Sequence, residues 1–193
     1  MEPTQFEIAL ALIDKKNSED PNLYQVNGLD FPKELLYSQR MSRTLSVFNP
    51  HVSKALQIAV RAQHICRWRI PRNNYPMDRV GYLKWREALK KMHTEIVTEI
   101  LEEVGYKADF IARVSFLINK KSIKKDEESQ VLEDVACLVF LEFYFEEFAD
   151  RHTDEKLVDI LRKTWGKMSK AGHTAALKLS VSKKSLNLIK KIL

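Results

Sequence analysis

The chain has 193 residues, of which 45% are hydrophobic and 30% are charged, and its formal net charge at pH 7 is +6. This length suits one globular domain, and no apolar run approaches the roughly 18 residues of a membrane-spanning helix. The first residues are acidic rather than basic, so we expect no secretory signal peptide. Cys66 and Cys137 lie in apolar helical patterns, which indicates two reduced thiols in a cytoplasmic protein.

Charge is distributed unevenly along the chain. Residues 61–91 contain nine Lys or Arg and two acids, residues 160–193 contain nine Lys or Arg and no acid, and residues 142–159 contain seven acids and two bases. A basic surface favours an anionic partner such as a nucleotide, a phosphate ester or RNA. For residues 160–193, a solvated basic surface is the simpler interpretation.

Hydrophobic residues recur at helical spacing along nearly the whole chain. Asn27-Gly28 lies between two short apolar runs and predicts one small β-hairpin near residues 24–31. Pro32 begins the next predicted helix, and Asn49-Pro50 ends it. The predicted helices are 5–16, 32–48, 53–68, 81–104, 109–121, 128–151 and 154–167. The fold class expected from this pattern is all-α.

Residues 167–170 read Lys-Met-Ser-Lys, the beginning of a signature of class I aminoacyl-tRNA synthetases. Those enzymes need a parallel nucleotide-binding sheet, but this chain has five glycines, no Gly-rich phosphate loop and almost no strand signal. A His-Ile-Gly-His signature is also absent from the sequence. The tetrapeptide is therefore predicted to link two helices, with Ser169 as an N-cap, in a protein that is not an aminoacyl-tRNA synthetase.

Four titratable residues fall on the apolar faces of predicted helices: Glu34, His64, His93 and Asp134. Burying such a group is costly unless it is paired or bound to a metal. For Asp134 the alternatives are a hydrogen bond to a helix N-terminus or to a buried Arg, and a metal or substrate contact. For His64 they are a hydrogen-bonded core residue and a ligand.

Four segments resemble the HD-domain superfamily of metal-dependent phosphohydrolases, over about residues 32–147: "ELLYSQRMSRTL", "AVRAQHICRW", "HTEIVTEILEEVGYKADFIARVSFLINKKS" and "QVLEDVACLVFLE". That resemblance implies a single-domain helical bundle over residues 1–193. Its HD-like core would occupy about 32–147, and a C-terminal helical extension would occupy 153–193.

The same resemblance implies a site for one divalent ion, which could be manganese, iron, zinc or magnesium. His64 and Asp134 carry over as metal ligands. Either His93 or Glu34 would complete the site, and both residues are predicted to have catalytic roles. The positions of two further ligands of the superfamily hold Tyr37 and Ile65.

Basic and aromatic residues around these positions suit a phosphorylated ligand. Forked guanidiniums and ammonium groups bind phosphate, and aromatic rings stack on bases. The predicted phosphate-binding residues are Arg67, Arg72, Arg79, Arg86 and Lys121. The predicted base-stacking residues are Trp68, Tyr75 and Tyr82.

The sequence leaves three functions open. The first is a metal-dependent phosphohydrolase acting on a nucleotide or another phosphate monoester. The second is a phosphate-ligand or RNA-binding protein without metal, in which Lys121 or Arg40 takes the place of the ion. The third is a helical interaction module with a satisfied polar core.

A second resemblance covers nearly the whole chain. The segments "PKELLYSQRMS", "RAQHICRWRIPR", "GYLKWR", "LEDVACLVFLEFYFEEF" and "LRKTWGKMS" are similar to the family called domain of unknown function 4202. Some of its members carry a glutamyl-tRNA synthetase label, which the glycine and strand content of this chain opposes. The resemblance implies no particular reaction.

Overall fold

The computed structural model describes residues 2–191, and most of these residues are helical. The α-helices are α1 (Gln5–Ser18), α2 (Lys33–Phe48), α3 (Lys54–Arg61), α4 (Arg79–Glu103), α5 (Ala108–Ile118), α6 (Glu127–Val139), α7 (Phe145–Ala149), α8 (Asp154–Trp165), α9 (Lys170–Ala176) and α10 (Lys183–Lys190). Short 3₁₀ turns at Arg67–Arg69 and Arg72–Asn74 precede α4, and a π-helical segment at Phe140–Tyr144 joins α6 to α7. The predicted all-α class is confirmed.

The small β-hairpin is also confirmed. Strands β1 (Leu23–Val26) and β2 (Leu29–Pro32) pair antiparallel, with Val26 opposite Leu29. Asn27 and Gly28 form the turn with φ of 51° and 81°. Asn and Gly tolerate this left-handed backbone region better than other residues, which is why the Asn-Gly pair marks the turn in the sequence.

The chain forms two compact units, and each is described by itself. The first unit comprises Met1–Arg43 and His51–Lys121, and the second comprises Thr44–Pro50 and Ser122–Leu193. Residues 1, 192 and 193, which the predicted domain and its C-terminal extension include, lie outside the described residues. A single domain over 1–193 therefore stays a prediction.

The first unit packs α1 and α5 against α3 and α4. The unit's core is apolar, and several of its largest side chains are completely buried: Ile13, Met41, Leu56, Ile65, Leu101 and Leu117. Burial of this apolar surface is the main source of the unit's stability.

Helix α3 is shorter than the predicted helix 53–68, because it ends at Arg61. The chain then makes turns in which Cys66 has a left-handed backbone, with φ of 53°. Asn17 of α1 stabilises this conformation, since its Oδ1 accepts a hydrogen bond of 3.1 Å from the Cys66 N–H. His64 therefore lies in a turn and not on a helix.

The second unit packs α10 against α7 and α8, and α6 against α9. Its core includes Leu138, Leu141, Phe145, Leu157 and Leu161. Among the described residues, no helix combines the length and the apolar character that a membrane crossing requires.

Candidate functional site

Three of the four predicted titratable residues lie together in the first unit. Glu34 is in the first turn of α2, His64 is in the turn after α3, and His93 is in the middle of α4. His64 Nδ1 is 3.6 Å from Glu34 Oε2, and the rings of His64 and His93 have centroids 6.3 Å apart. Glu34 and His93 are buried, whereas about a quarter of the His64 side chain is exposed. His64 is thus the member of this cluster that solvent reaches most readily.

A buried aspartate holds Glu34 in place. Asp20 Oδ2 accepts a hydrogen bond of 3.0 Å from the Glu34 N–H, at the N-terminus of α2. Asp20 Oδ1 accepts two more, from the backbone N–H and the side-chain amide of Asn22. Asp20 could not be identified from the sequence, because an acceptor fourteen residues from its donor leaves no local capping signature.

The orientation of the His64 ring is fixed by two neighbours. Tyr37 stacks on it with a centroid distance of 4.2 Å and an interplanar angle of 12°. Arg67 Nη1 lies 2.9 Å from His64 Nε2. Because a guanidinium can only donate, Nε2 accepts this hydrogen bond, and the neutral ring carries its proton on Nδ1, towards Glu34.

Positive charge surrounds His64. Burial is the largest cause of a pKa well below the usual range for histidine, and Arg67, Lys120, Arg86 and Lys33 lower this pKa further. A ring so placed stays neutral at neutral pH. The same cations that disfavour a protonated imidazole favour an anion at this position.

The pKa values of the two buried members of the cluster, Glu34 and His93, are shifted in opposite directions. Burial raises the pKa of Glu34, although Arg67, Lys33 and His93 oppose the change. Burial is the largest cause that lowers the pKa of His93 to about 3, and the neighbouring His64 contributes because two imidazoles this close resist becoming charged together. The Nδ1 of neutral His93 donates to the Ile65 carbonyl oxygen at 2.6 Å, so Nε2 is left as an acceptor.

The donor set of this cluster fits a metal ion poorly as it stands. A ligating imidazole must offer an unprotonated nitrogen, and the unprotonated nitrogen of His64 already accepts from Arg67. Within residues 2–191, no group of three or more His, Cys, Asp or Glu side chains is arranged to hold a metal. The predicted metal site stays a prediction.

Arg67 also contacts an aromatic side chain. Its guanidinium carbon lies 4.8 Å from the ring centroid of Trp85, which is the range of a cation–π interaction. Trp85 is 8% exposed and donates a hydrogen bond from Nε1 to the Ile70 carbonyl oxygen. This buried ring fixes Arg67 beside His64.

The predicted phosphate-binding and base-stacking residues are all in the first unit, but they differ in accessibility. Arg72 uses its guanidinium to hold the loop before α4, donating to the carbonyl oxygens of Tyr75, Pro76 and Asp78. Arg79, Tyr82 and Lys121 are exposed, and Trp68, Tyr75 and Arg86 are half-buried. Arg67 and Arg86 are therefore the predicted phosphate ligands that also act electrostatically on His64.

Asp134 lies in the second unit and binds the beginning of α9. Its Oδ1 accepts from the Ser169 N–H at 2.8 Å and from Gln130 Nε2 at 3.2 Å, and its Oδ2 accepts from Ser169 Oγ at 2.6 Å. Ser169 Oγ in turn accepts from the Gly172 N–H. The prediction that Lys-Met-Ser-Lys links two helices with Ser169 as N-cap is confirmed.

A cleft of about 730 Å³ lies in the second unit, beside Asp134 and Ser169. Both charge signs line it, from Lys124 and Lys125 to Asp126 and Glu127. Lys124 Nζ donates to the Gly166 carbonyl oxygen, and Asp126 Oδ1 caps α6 by accepting from Ser129. These contacts serve the local fold, so the first unit holds the stronger candidate site.

Comparison with curated proteins and with solved structures gave no match. A family model does match, over residues 7–189, which is nearly all of the described chain. The chain therefore belongs to the family described as Domain of unknown function (DUF4202).

Proposed function

We propose that the first unit binds a phosphate ester at the His64–Arg67 pair without a metal ion. The observation that carries the proposal is the 2.9 Å contact between Arg67 Nη1 and Nε2 of His64, a partly exposed imidazole whose pKa is also lowered by Lys120, Arg86 and Lys33. Cations on a partly exposed polar group create a potential that attracts anions. Phosphate is a common biological anion, and a forked guanidinium can bind two of its oxygens at once.

The other members of the cluster suit the same ligand. Burial raises the pKa of Glu34, so this carboxyl takes up a proton more easily than an exposed one, and only its protonated form can donate a hydrogen bond to a phosphate oxygen. His64 offers an N–H from Nδ1 on the side that faces Glu34. Arg67 and the Nδ1 of His64 can therefore donate hydrogen bonds to phosphate oxygens, which accept them.

The test measures the binding of inorganic phosphate and of phenyl phosphate by calorimetry and by NMR of the His64 ring. We expect a bound phosphate to raise the pKa of His64, because a nearby anion favours the imidazolium. Arg67→Ala should weaken binding at least tenfold. Arg69→Ala is the matched control, since Arg69 is exposed and pairs with Glu19. Unchanged His64 resonances at saturating phosphate would contradict the proposal.

A second candidate is a metal-dependent phosphohydrolase acting on a nucleotide or another phosphate monoester, as the HD-domain resemblance implies. The observation in its favour is that Glu34, His64 and His93 bring a carboxylate and two imidazoles together, which are ligand types for divalent transition metals. Binding through His64 would require the Arg67 hydrogen bond to open. A role for Asp134 as a ligand stays part of this second candidate.

Metal analysis separates the two candidates. The full chain is purified without chelators and offered manganese, iron, zinc or magnesium, and hydrolysis of p-nitrophenyl phosphate is measured. About one equivalent of bound metal with hydrolysis, both lost in His64→Ala, would favour the phosphohydrolase. Phosphate binding that is independent of metal would favour the first proposal. RNA binding and a cytoplasmic location stay predictions in both cases.

A further inference from the structure

A row of alternating guanidiniums and aromatic rings leads away from His64. Arg67 lies on the Trp85 ring, and the Trp85 centroid is 6.0 Å from that of Tyr82. The guanidinium carbons of Arg72 and Arg86 each lie 5.9 Å from the Tyr82 ring centroid. The row therefore runs from the proposed phosphate site at Arg67 to an exposed tyrosine.

The far end of this row is exposed and apolar. Tyr82 is 43% exposed, and its neighbours Met77, Val80 and Leu83 are 79%, 60% and 52% exposed. Val80 and Leu83 are three residues apart on α4, so both present one face of the helix to solvent. Exposed apolar side chains grouped in this way mark an interaction surface.

The loop that supports this surface is held rigidly. Arg72 binds three carbonyl oxygens of the loop, and Asp78 Oδ1 caps α4 by accepting from the Gly81 N–H. A Cβ at position 81 would collide with the Pro76 carbonyl oxygen, so only glycine permits this close approach. A platform that is rigid before binding loses little conformational entropy when a ligand arrives.

Charge decides between the partners that would fit an aromatic and apolar platform. Residues 67–86 contain six Lys or Arg and one acid, which favours a polyanion. Arg79 is exposed and lies three residues before Tyr82 on α4, on the same side of the helix, so cations extend farther than a single phosphate needs. Alternation of cations with aromatic rings is the arrangement by which proteins bind single-stranded nucleic acid without reading its sequence.

We infer that Tyr82 and the exposed residues around it bind the bases of a single-stranded nucleic acid, which continues from a phosphate at the His64–Arg67 pair. This inference rests on the proposed function and adds its ligand class. A base stacks on Tyr82, and Arg79 and Arg86, which share the side of α4 that carries Tyr82, neutralise the neighbouring phosphates.

The experiment measures fluorescence anisotropy of short single-stranded RNA, with and without a 5′-phosphate, against the full chain. We expect Tyr82→Ala to weaken binding about tenfold, and Tyr82→Phe to bind within about twofold of the unsubstituted protein. Arg86→Ala should reduce the slope of log affinity against log salt by about one. Tyr106→Ala is the matched control, because Tyr106 stacks on Phe110 at another place in the first unit.

Two competitors test whether bases are recognised. Polyphosphate carries the charge without bases, and poly-glutamate represents an acidic protein partner. The inference requires that neither displaces RNA at concentrations where unlabelled RNA does. Equal competition by either one, or full RNA affinity in Tyr82→Ala, would overturn it.

Inorganic phosphate binding distinguishes this inference from the proposed function. Tyr82→Ala should leave phosphate binding unchanged, whereas Arg67→Ala should weaken the binding of both phosphate and RNA. If phosphate does not bind and RNA binding still depends on Tyr82, the phosphate site is wrong and the base platform stands. If phosphate binds and RNA does not, the base platform is wrong.

Discussion

Asp134 binds Ser169 through both of its carboxylate oxygens, at 2.8 Å to the backbone N–H and 2.6 Å to the hydroxyl. Only 1% of Asp134 is exposed, so this pair lies away from competing water. Because Ser169 is the N-cap of α9, the carboxylate fixes the point at which the chain enters that helix. An aspartate within an apolar stretch of α6 thus has a structural partner thirty-five residues away.

Removing this carboxylate should destabilise the second unit. We expect Asp134→Ala to lower the free energy of unfolding by about 2–3 kcal/mol, since it leaves donors of Ser169 without their acceptor. Urea denaturation measures the change. Asp159→Ala is the control, because Asp159 forms an exposed pair with Lys163 and its loss should hardly alter stability. Equal effects of the two substitutions would show that the Asp134 contacts contribute little.

Gly172 should be coupled to Asp134. A Cβ at position 172 would lie 2.5 Å from Asp134 Oδ1. Where Asp134 is present, Gly172→Ala should therefore lower the free energy of unfolding by about 1–3 kcal/mol. In Asp134→Ala the carboxylate that obstructs this Cβ is absent. Alanine at position 172 should then stabilise α9 by up to about 1 kcal/mol, because its helix propensity is higher than that of glycine. A double-mutant cycle by urea denaturation measures the coupling, and additive effects would refute it.

Local sequence patterns predicted the parts of the fold that have local causes. Asn27-Gly28 indicated the hairpin, because its left-handed turn depends on those two residues. Gly105 indicated the end of the long helix and has φ of 86°. Ser169 indicated a helix start, since its hydroxyl accepts from a backbone N–H three residues later.

Features with distant causes were beyond sequence analysis. The apolar spacing of residues 56–64 continues as if one helix ran to residue 68, but Asn17 binds the Cys66 N–H and stabilises a turn there. That contact spans forty-nine residues, so no local pattern signals it. The candidate site depended on it, because the turn places the His64 ring between Tyr37 and Arg67.

Asp20 should act as a positioning residue for Glu34. In Asp20→Ala, the first turn of α2 loses an acceptor for the Glu34 N–H. We expect the free energy of unfolding to fall by about 1–2 kcal/mol. The pKa of Glu34 should also move down towards 4.5, because a loosened carboxyl is more hydrated. Carbon-13 NMR of the Glu34 carboxyl measures this shift. Asp30→Ala, on the exposed hairpin, should leave the pKa of Glu34 unchanged.

His93 should contribute to the loss of stability in acid. Its pKa is about 3 in the folded protein and about 6.5 in an unfolded chain, so the unfolded state binds more protons between these values. The stability that neutral His93 provides is therefore complete above pH 6.5 and is lost as pH falls towards 3. The raised pKa of Glu34 acts in the opposite direction, since its folded form gains stability in acid.

We expect His93→Gln to flatten the pH dependence of unfolding between pH 6.5 and pH 4. One proton corresponds to about 1.4 kcal/mol per pH unit, which is the largest change in slope that this substitution can produce. Urea denaturation at each pH gives the slope, and His51→Gln, which replaces an exposed histidine, is the control. An unchanged slope in His93→Gln would mean that His93 takes up a proton in the folded protein as readily as in the unfolded chain. The neutral imidazole hydrogen-bonded to Ile65 would then be ruled out.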